Sequence, residues 1–180
     1  MTNAPDTSSV PTSSSSTSGY DERQKWQAFW VCVGVAALTI LDLSKVNVGL
    51  PSIERSLGAG PTALQLIVAG YALAFGLSLV PSGRLGDLKS RRLMFVIGLS
   101  SFTVASVLCA IAPTVELLVA ARILQGVAAG IQMPQVLGLI QQLFQGRERG
   151  RAFGLFGAVI GVSTAFGPTI GGLLIAVGGA

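Results

Sequence analysis

The chain has 180 residues, of which 51% are hydrophobic and 11% charged, with 12 Lys and Arg against 8 Asp and Glu for a net charge of +4. Soluble domains carry about a quarter charged residues, so the composition lacks the coat that a water-facing surface needs and points to an outer face that meets lipid. The basic residues fall in short clusters between apolar segments, a topology signal rather than a nucleic-acid footprint, and the absence of histidine excludes imidazole acid–base chemistry and His-ligated metal sites.

Residues 1–25 stand apart. Eleven Ser or Thr lie between Thr2 and Ser18 with almost nothing apolar among them, so no core offsets the entropy of ordering them. The composition predicts a disordered cytoplasmic tail. It lacks the apolar h-region of a secretory signal.

Five apolar segments follow, at residues 26–50, 62–81, 93–112, 115–144 and 152–177. Each reaches the roughly 20 residues that cross about 30 Å of hydrocarbon at about 1.5 Å per residue. Backbone groups in lipid must pair internally, which makes these helices. The fourth run is longer than a span needs, so Gln141 and Gln142 are expected to emerge at the interface.

Orientation is read from the segments between the spans. Arg23 and Lys25 precede the first helix, Arg84, Lys89, Arg91 and Arg92 lie between the second and third, and Arg147, Arg149 and Arg151 between the fourth and fifth. Against these nine, the other side carries only Arg55, near Glu54 and Glu116. The N-terminus is therefore expected in the cytoplasm of a multi-pass plasma-membrane protein.

Charges within the spans carry the chemistry, because one at the bilayer centre costs about 2.5–3.5 kcal/mol on insertion scales. Three are present: Asp42 and Lys45 in the first helix, three apart and on one face, and Arg122 in the fourth. Two readings stand, a structural ion pair between helices or a protonatable carboxylate in a water-filled cavity. Arg122 heads a polar stripe, with Gln125 about 60° and Gln132 about 80° away around the helix, which predicts one wet face on helix four. The fifth helix carries Gly150, Gly154, Gly157 and Gly161, continued by Ala165, Pro168 and Gly172, a stripe that lets two backbones approach closely in lipid. Gly167-Pro168 adds a missing N–H and an expected kink. Cys32 and Cys109 sit in apolar runs without pairing or metal-ligand spacing and read as small packing residues.

Four stretches together resemble the major facilitator superfamily and, within it, the fourteen-helix drug–proton antiporter branch. Residues 41–51, LDLSKVNVGLP, resemble the branch's Leu-Asp-x-Thr-x-x-Asn-x-Ala-Leu-Pro motif. Residues 83–92, GRLGDLKSRR, resemble the superfamily's cytoplasmic gating motif, through Gly83, Arg84, Asp87, Arg91 and Arg92. Residues 122–126, RILQG, resemble its Arg-x-x-Gln-Gly motif. Residues 167–172, GPTIGG, with Gly154 and Gly161 upstream, resemble the antiporter motif through Gly167, Pro168, Gly171 and Gly172. The resemblance covers residues 26–180. Three positions depart from it: Lys45 where the family has an uncharged residue, and Ser90 and Ser163 where it has glycine.

The resemblance implies an all-α transmembrane fold, the first five helices of a major facilitator bundle, and secondary active transport in which protons enter and an amphipathic, often cationic compound leaves. Asp42 and Arg122 would take part in proton coupling. Asp87 and Arg91 would lock the cytoplasmic gate through charge and helix-dipole contacts, and helix five would pack against the other half and seal against proton leak. No bond is made or broken, so the protein is not expected to be an enzyme, and no cofactor, metal or nucleic acid is implied. The partners are membrane lipid, protons, a small amphipathic substrate and the C-terminal helices of the same transporter, since the family uses twelve or fourteen. The chain alone is expected to be a truncated product that leaves the polar face of helix four and the small-residue face of helix five open to lipid. Two alternatives differ in class: a short membrane protein acting as an assembly or regulatory subunit without transport, and an exporter of sugars or other metabolites.

Overall fold

A computed structural model describes residues 21–178, so most of the expected tail, residues 1–20, lies outside the described residues. Five helices follow one another: α1 Glu22–Leu57, α2 Pro61–Leu88, α3 Arg91–Ala110, α4 Val115–Leu143 and α5 Gly146–Gly178. All five are long and apolar enough to cross a membrane. Short connections reverse the chain each time. One end of the bundle therefore gathers the start of α1, the α2–α3 turn and the α4–α5 turn, with the basic clusters.

The helices run past the apolar segments that define them. Glu22–Lys25, expected in the tail, form the first turn of α1. Pro51, expected to close α1, sits inside it. A proline removes one N–H and one intrahelical bond, and here Arg55 donates from Nε to the Pro51 carbonyl at 3.2 Å in the last turns. The stop comes at Gly58, whose φ of 62° is the left-handed cap that glycine adopts freely. The motif at residues 83–92 is also mostly helical, where a connecting segment was expected. Gly83, Arg84 and Asp87 belong to α2, Arg91 and Arg92 open α3, and the non-helical link is Lys89-Ser90. Ser90, the departure from the family glycine, caps α3 by accepting from the Leu93 N–H at 3.4 Å. Arg147, Arg149 and Arg151 likewise lie in the first turns of α5, where Arg149 donates to the Phe144 and Gln141 carbonyls that end α4, both at 3.1 Å.

α4 is the axis of the assembly. α2 and α3 pack along it, while α1 packs mainly on α5 and more lightly on α4. The reason is a row of small residues at intervals of four, Gly126, Gly130, Pro134 and Gly138. A Cβ on Gly126 would strike the Tyr71 carbonyl, and one on Gly130 would lie 2.6 Å from the Phe75 carbonyl and 2.8 Å from the Ser78 Cβ. Close approach of this kind drives helix association in lipid, where no hydrophobic effect separates helix from solvent. On the α3 side, Gly98 admits the Gln132 backbone, which a Cβ there would meet at 3.0 Å.

The basic end is closed by apolar packing. Phe29, Cys32, Val33, Phe95, Val136, Ile140, Phe144 and Ala152 form a buried cluster with Trp26 against it. Phe29 meets Phe144 edge-on at 5.6 Å between centroids, and Trp26 meets Phe29 at 5.5 Å, contacts each worth about 0.5–1.5 kcal/mol beyond area burial.

α5 divides its glycines. Gly167 lies against Ser44 and Gly171 against the Lys45 backbone, so these two seat α5 on α1. Gly150, Gly154, Gly157 and Gly161 meet nothing among the described residues where a side chain would be. Pro168 is exposed within a continuous helix.

Candidate functional site

The three charges held within the spans come together. Near the middle of α1, Asp42 Oδ2 accepts from Arg122 Nη1 at 3.1 Å and from Gln125 Nε2 at 2.8 Å. Arg122 Nη1 also donates to Gln125 Oε1 at 2.8 Å, closing a three-residue ring of hydrogen bonds. Lys45 Nζ stands 3.6 Å from the other carboxylate oxygen, as the i,i+3 spacing predicts. The Arg122 guanidinium carbon lies 5.7 Å from the centroid of the Tyr71 ring, within cation–π range.

The two cations are not equivalent. The Arg122 side chain is 4% exposed and that of Lys45 is 44% exposed, on either side of an Asp42 side chain at 16%. The Arg122 pair is a desolvated, charge-assisted contact, whereas Lys45 reaches the same carboxylate from a half-open position.

Helix four therefore does not leave its polar stripe open to lipid within these five helices, although Arg122 and Gln125 also line the polar cavity described below. Arg122, Gln125 and Gln132 are all buried, because Asp42 and Thr39 of α1 and Tyr71 of α2 cover the stripe within these five helices. Gln132 Nε2 donates to the Thr39 hydroxyl at 2.7 Å, and that hydroxyl donates on to the Val35 carbonyl at 2.9 Å. Cys109 also departs from the packing role expected of both cysteines. Cys32 is in the apolar core, but the Cys109 Sγ donates to Gln125 Oε1 at 3.6 Å and so borders the charge cluster.

Two cavities flank the cluster on opposite faces of α1. One, of about 270 Å³, lies between α1 and α2 and is lined by Ile40, Leu43, Asn47, Tyr71, Phe75 and Met133 among others. It is almost wholly apolar, and the Tyr71 and Phe75 rings in its wall lie parallel to within 3°. The other, of about 500 Å³, is bounded by α1, α3 and α4, contains Asp42, Lys45, Arg122 and Gln125, and is the more polar.

A second polar assembly sits at the basic end. Arg91 pairs with Asp87 across the α2–α3 turn and donates from Nη1 to the Pro134 carbonyl at 3.4 Å. Its guanidinium occupies the space that a side chain at position 138 would fill. Gln135 donates to the Ser82 carbonyl at 2.9 Å, its amide lodged against Gly86. Gly83 lies 3.6 Å from the Pro134 Cβ by its own projected Cβ, an ordinary contact. Arg84 and Arg92 are exposed. Gly154, Gly161 and Pro168 face away from the other described helices, whereas Gly167, Gly171 and Gly172 lie against α1.

Sequence reasoning missed Tyr71, Thr39, Ser82, Gln135 and Gly138. Gln135 and Gly138 carried a legible signal, standing three residues beyond Gln132 and four beyond Pro134 on the inward faces of α4. Thr39 and Ser82 carried none, since a serine or threonine hydroxyl can bond its own helix carbonyl on any face, and Tyr71 carried none because a lone aromatic ring in an apolar helix reads as packing.

A sequence profile described as Major Facilitator Superfamily matches residues 32–180. The chain is 43% identical over 152 residues, 84% of its length and 26% of the other protein's, to a probable actinorhodin transporter of Streptomyces coelicolor. It is 42% identical over 175 residues, 97% of its length and 35% of the other's, to the puromycin resistance protein pur8 of Streptomyces alboniger. It is 38% identical over 139 residues, 77% of its length and 26% of the other's, to the multidrug resistance protein Stp of Mycobacterium tuberculosis. The chain thus spans about a quarter to a third of the length of these relatives.

Proposed function

The chain belongs to the major facilitator superfamily, and from that premise we propose that its five helices work as part of a proton-coupled exporter of amphipathic small molecules. One observation carries the reading: a carboxylate at membrane depth that holds a buried arginine and a glutamine in place while facing a polar cavity. Such a group is the expected carrier for a proton and a costly choice for mere packing.

Asp42 takes a proton on a carboxylate oxygen and loses its negative charge. The attraction that holds Arg122 Nη1 at 3.1 Å is then lost, and Arg122 and Lys45 are left as two cations with no anion between them. Arg122 keeps Gln125 and the Tyr71 ring as partners, so its rearrangement moves α2 and α4 relative to α1. Loss of the proton restores the ring. Tyr71 also lines the apolar cavity between α1 and α2, which is the natural seat for the apolar part of a substrate. The same tyrosine thus couples proton and substrate.

The bundle is oriented with its N-terminus in the cytoplasm, supported by the nine-to-one distribution of basic residues. The Asp87–Arg91 assembly then lies at the cytoplasmic gate. The exposed glycine stripe of α5, with Gly154 and Gly161, is the face that seals against the rest of the transporter. The substrate leaves unchanged, which is transport and not catalysis. The names of the relatives support an exported toxic or antibiotic compound.

The test uses the full transporter in proteoliposomes with an imposed pH gradient and a fluorescent amphipathic dye. Asp42→Asn is expected to abolish gradient-driven dye movement while retaining dye binding. Gradient-driven movement at the wild-type rate in that variant would refute the coupling role.

A further inference from the structure

We propose that the polar cavity between α1, α3 and α4 is the inlet through which water and protons reach Asp42, separate from the apolar cavity that takes the substrate. The proposal rests on the coupling reading above and adds a route to it.

The route is written on one face of α1. Asp42, Lys45, Gly49, Ser52 and Ser56 recur at intervals of three and four, a single stripe at helical spacing that runs from the carboxylate to the end of the helix at Leu57. Ser106 and Cys109 of α3 face it, and all of these residues line the same 500 Å³ cavity. The stripe leads toward the end of the bundle opposite the basic clusters. Ile40, Leu43 and Asn47 lie on the other side of α1 and belong to the apolar cavity, so the helix itself separates the two compartments.

The volume and the lining suit water. A water occupies about 30 Å³ of liquid and needs two to four polar partners, and serine hydroxyls, a thiol and a carboxylate supply them along the whole stripe. The apolar cavity, with Thr39, Asn47 and Tyr71 among aliphatic and aromatic groups, offers no such chain. Charge also sorts the two routes. Asp42 is held by Lys45 of α1 and by Arg122 and Gln125 of α4, with Tyr71 of α2 against Arg122 and Cys109 of α3 against Gln125, while α5 brings Gly167 and Gly171 to this part of α1. An organic cation entering the inlet meets the half-exposed Lys45 before it reaches the carboxylate. A proton passed along hydrogen-bonded water needs no bulky carrier: each water accepts one proton and releases another, and the last O–H bond forms on an Asp42 carboxylate oxygen. Gly49, buried and without a side chain, continues the cavity lining one turn beyond Lys45.

The test uses the full transporter with Cys32→Ala and any cysteines outside residues 1–180 replaced, leaving Cys109 for a membrane-impermeant anionic methanethiosulfonate reagent, which Lys45 does not repel. Reaction of Cys109 from the non-cytoplasmic side, with gradient-driven dye efflux slowed about tenfold or more and dye binding retained, is the expected result. Ser106→Leu fills the same passage by genetic means, and it should slow gradient-driven efflux to a similar extent while Ser106→Thr restores it. A Cys109 that reacts from neither side, or that reacts without loss of efflux, overturns the inlet, as does a Ser106→Leu variant with unchanged efflux. Failure of the inlet is distinguishable from failure of the coupling reading: in the first case Asp42→Asn still abolishes gradient-driven efflux, and in the second it does not.

Discussion

The Ser82 hydroxyl of α2 lies 2.6 Å from the Gly130 carbonyl of α4 and can donate its one proton there, in competition with the Ser78 carbonyl of its own helix at 2.5 Å. The Gly130 carbonyl is the one Pro134 leaves without its helical donor, because proline four residues on has no N–H. The bond between helices therefore replaces a bond missing within one. An unpaired buried carbonyl costs about 1–3 kcal/mol, although interhelical hydrogen bonds in lipid average nearer 0.6 kcal/mol. Ser82→Ala is expected to destabilise the bundle by about 1 kcal/mol, read as a lower midpoint for thermal unfolding in detergent. The decisive measurement is a double-mutant cycle. Pro134→Ala returns an N–H to Gly130, so Ser82→Ala should cost much less in that background. Equal costs in both backgrounds would show that the proline-freed carbonyl is not what Ser82 serves.

Arg122 and Lys45 both approach Asp42, and their burial predicts different consequences. Arg122→Ala removes the buried cation and leaves Asp42 only Gln125 and the half-exposed Lys45, a change toward the loss of a buried partner, which costs about 3–5 kcal/mol. Lys45→Ala removes a half-exposed partner at 3.6 Å, worth at most about 1 kcal/mol. The expected pattern is loss of folded protein or of efflux in Arg122→Ala and near-normal folding in Lys45→Ala, measured by yield of monodisperse protein and thermal midpoint. Equivalent losses in the two variants would contradict the asymmetry.

What the sequence made legible follows the cost of each feature. Five spans and the charges within them could be read because lipid rejects unpaired backbone and charge so strongly that few arrangements remain. The Asp42–Lys45 pair was legible for a local reason, helical spacing. The contact of Asp42 with Arg122 across 80 positions was not legible: the family resemblance implied a part in proton coupling for each, and periodicity assigns a face and not a neighbour. The polar face of helix four met the same limit. Periodicity correctly gathered Arg122, Gln125 and Gln132 on one side, but it could not say that α1 and α2 would cover them. Helix ends were misread where proline and basic residues were taken as boundaries, because Pro51 costs one bond and Arg84 extends into water from within a helix.

Arg91 and Gly138 make a lock that a single methyl group would disturb. The guanidinium lies where the Gly138 side chain would be, while its other contacts are Asp87 and the Pro134 carbonyl. Gly138→Ala is therefore expected to displace Arg91 and release Asp87, reducing efflux several-fold without preventing membrane insertion. Gly83→Ala is the informative comparison within the same motif, since its new Cβ would stand 3.6 Å from Pro134 without overlap. Dye efflux and insertion assays on both variants check the point. A Gly138→Ala transporter as active as wild type would mean that Arg91 needs no fixed seat on α4.

The glycines of α4 and α5 look alike in sequence and sit in opposite surroundings. Gly126→Ala pushes a methyl group into the Tyr71 backbone, and a main-chain obstacle cannot rotate away as a side chain can. Overpacking of this kind costs about 1–3 kcal/mol, more than the gain of about 1 kcal/mol that alanine brings over glycine in a helix. Gly157→Ala meets nothing within 4 Å among the described residues, so only the favourable helix term remains there. In the 180-residue chain, Gly126→Ala is expected to lower the thermal midpoint and Gly157→Ala to leave it unchanged or raise it, followed by helical circular dichroism in detergent. If the α5 stripe seals against the rest of the transporter, the order changes there: Gly157→Leu in the full protein should weaken efflux or admit a proton leak while leaving the isolated five helices stable. A full transporter indifferent to leucine at position 157 would show that this face of α5 meets lipid and has no sealing role.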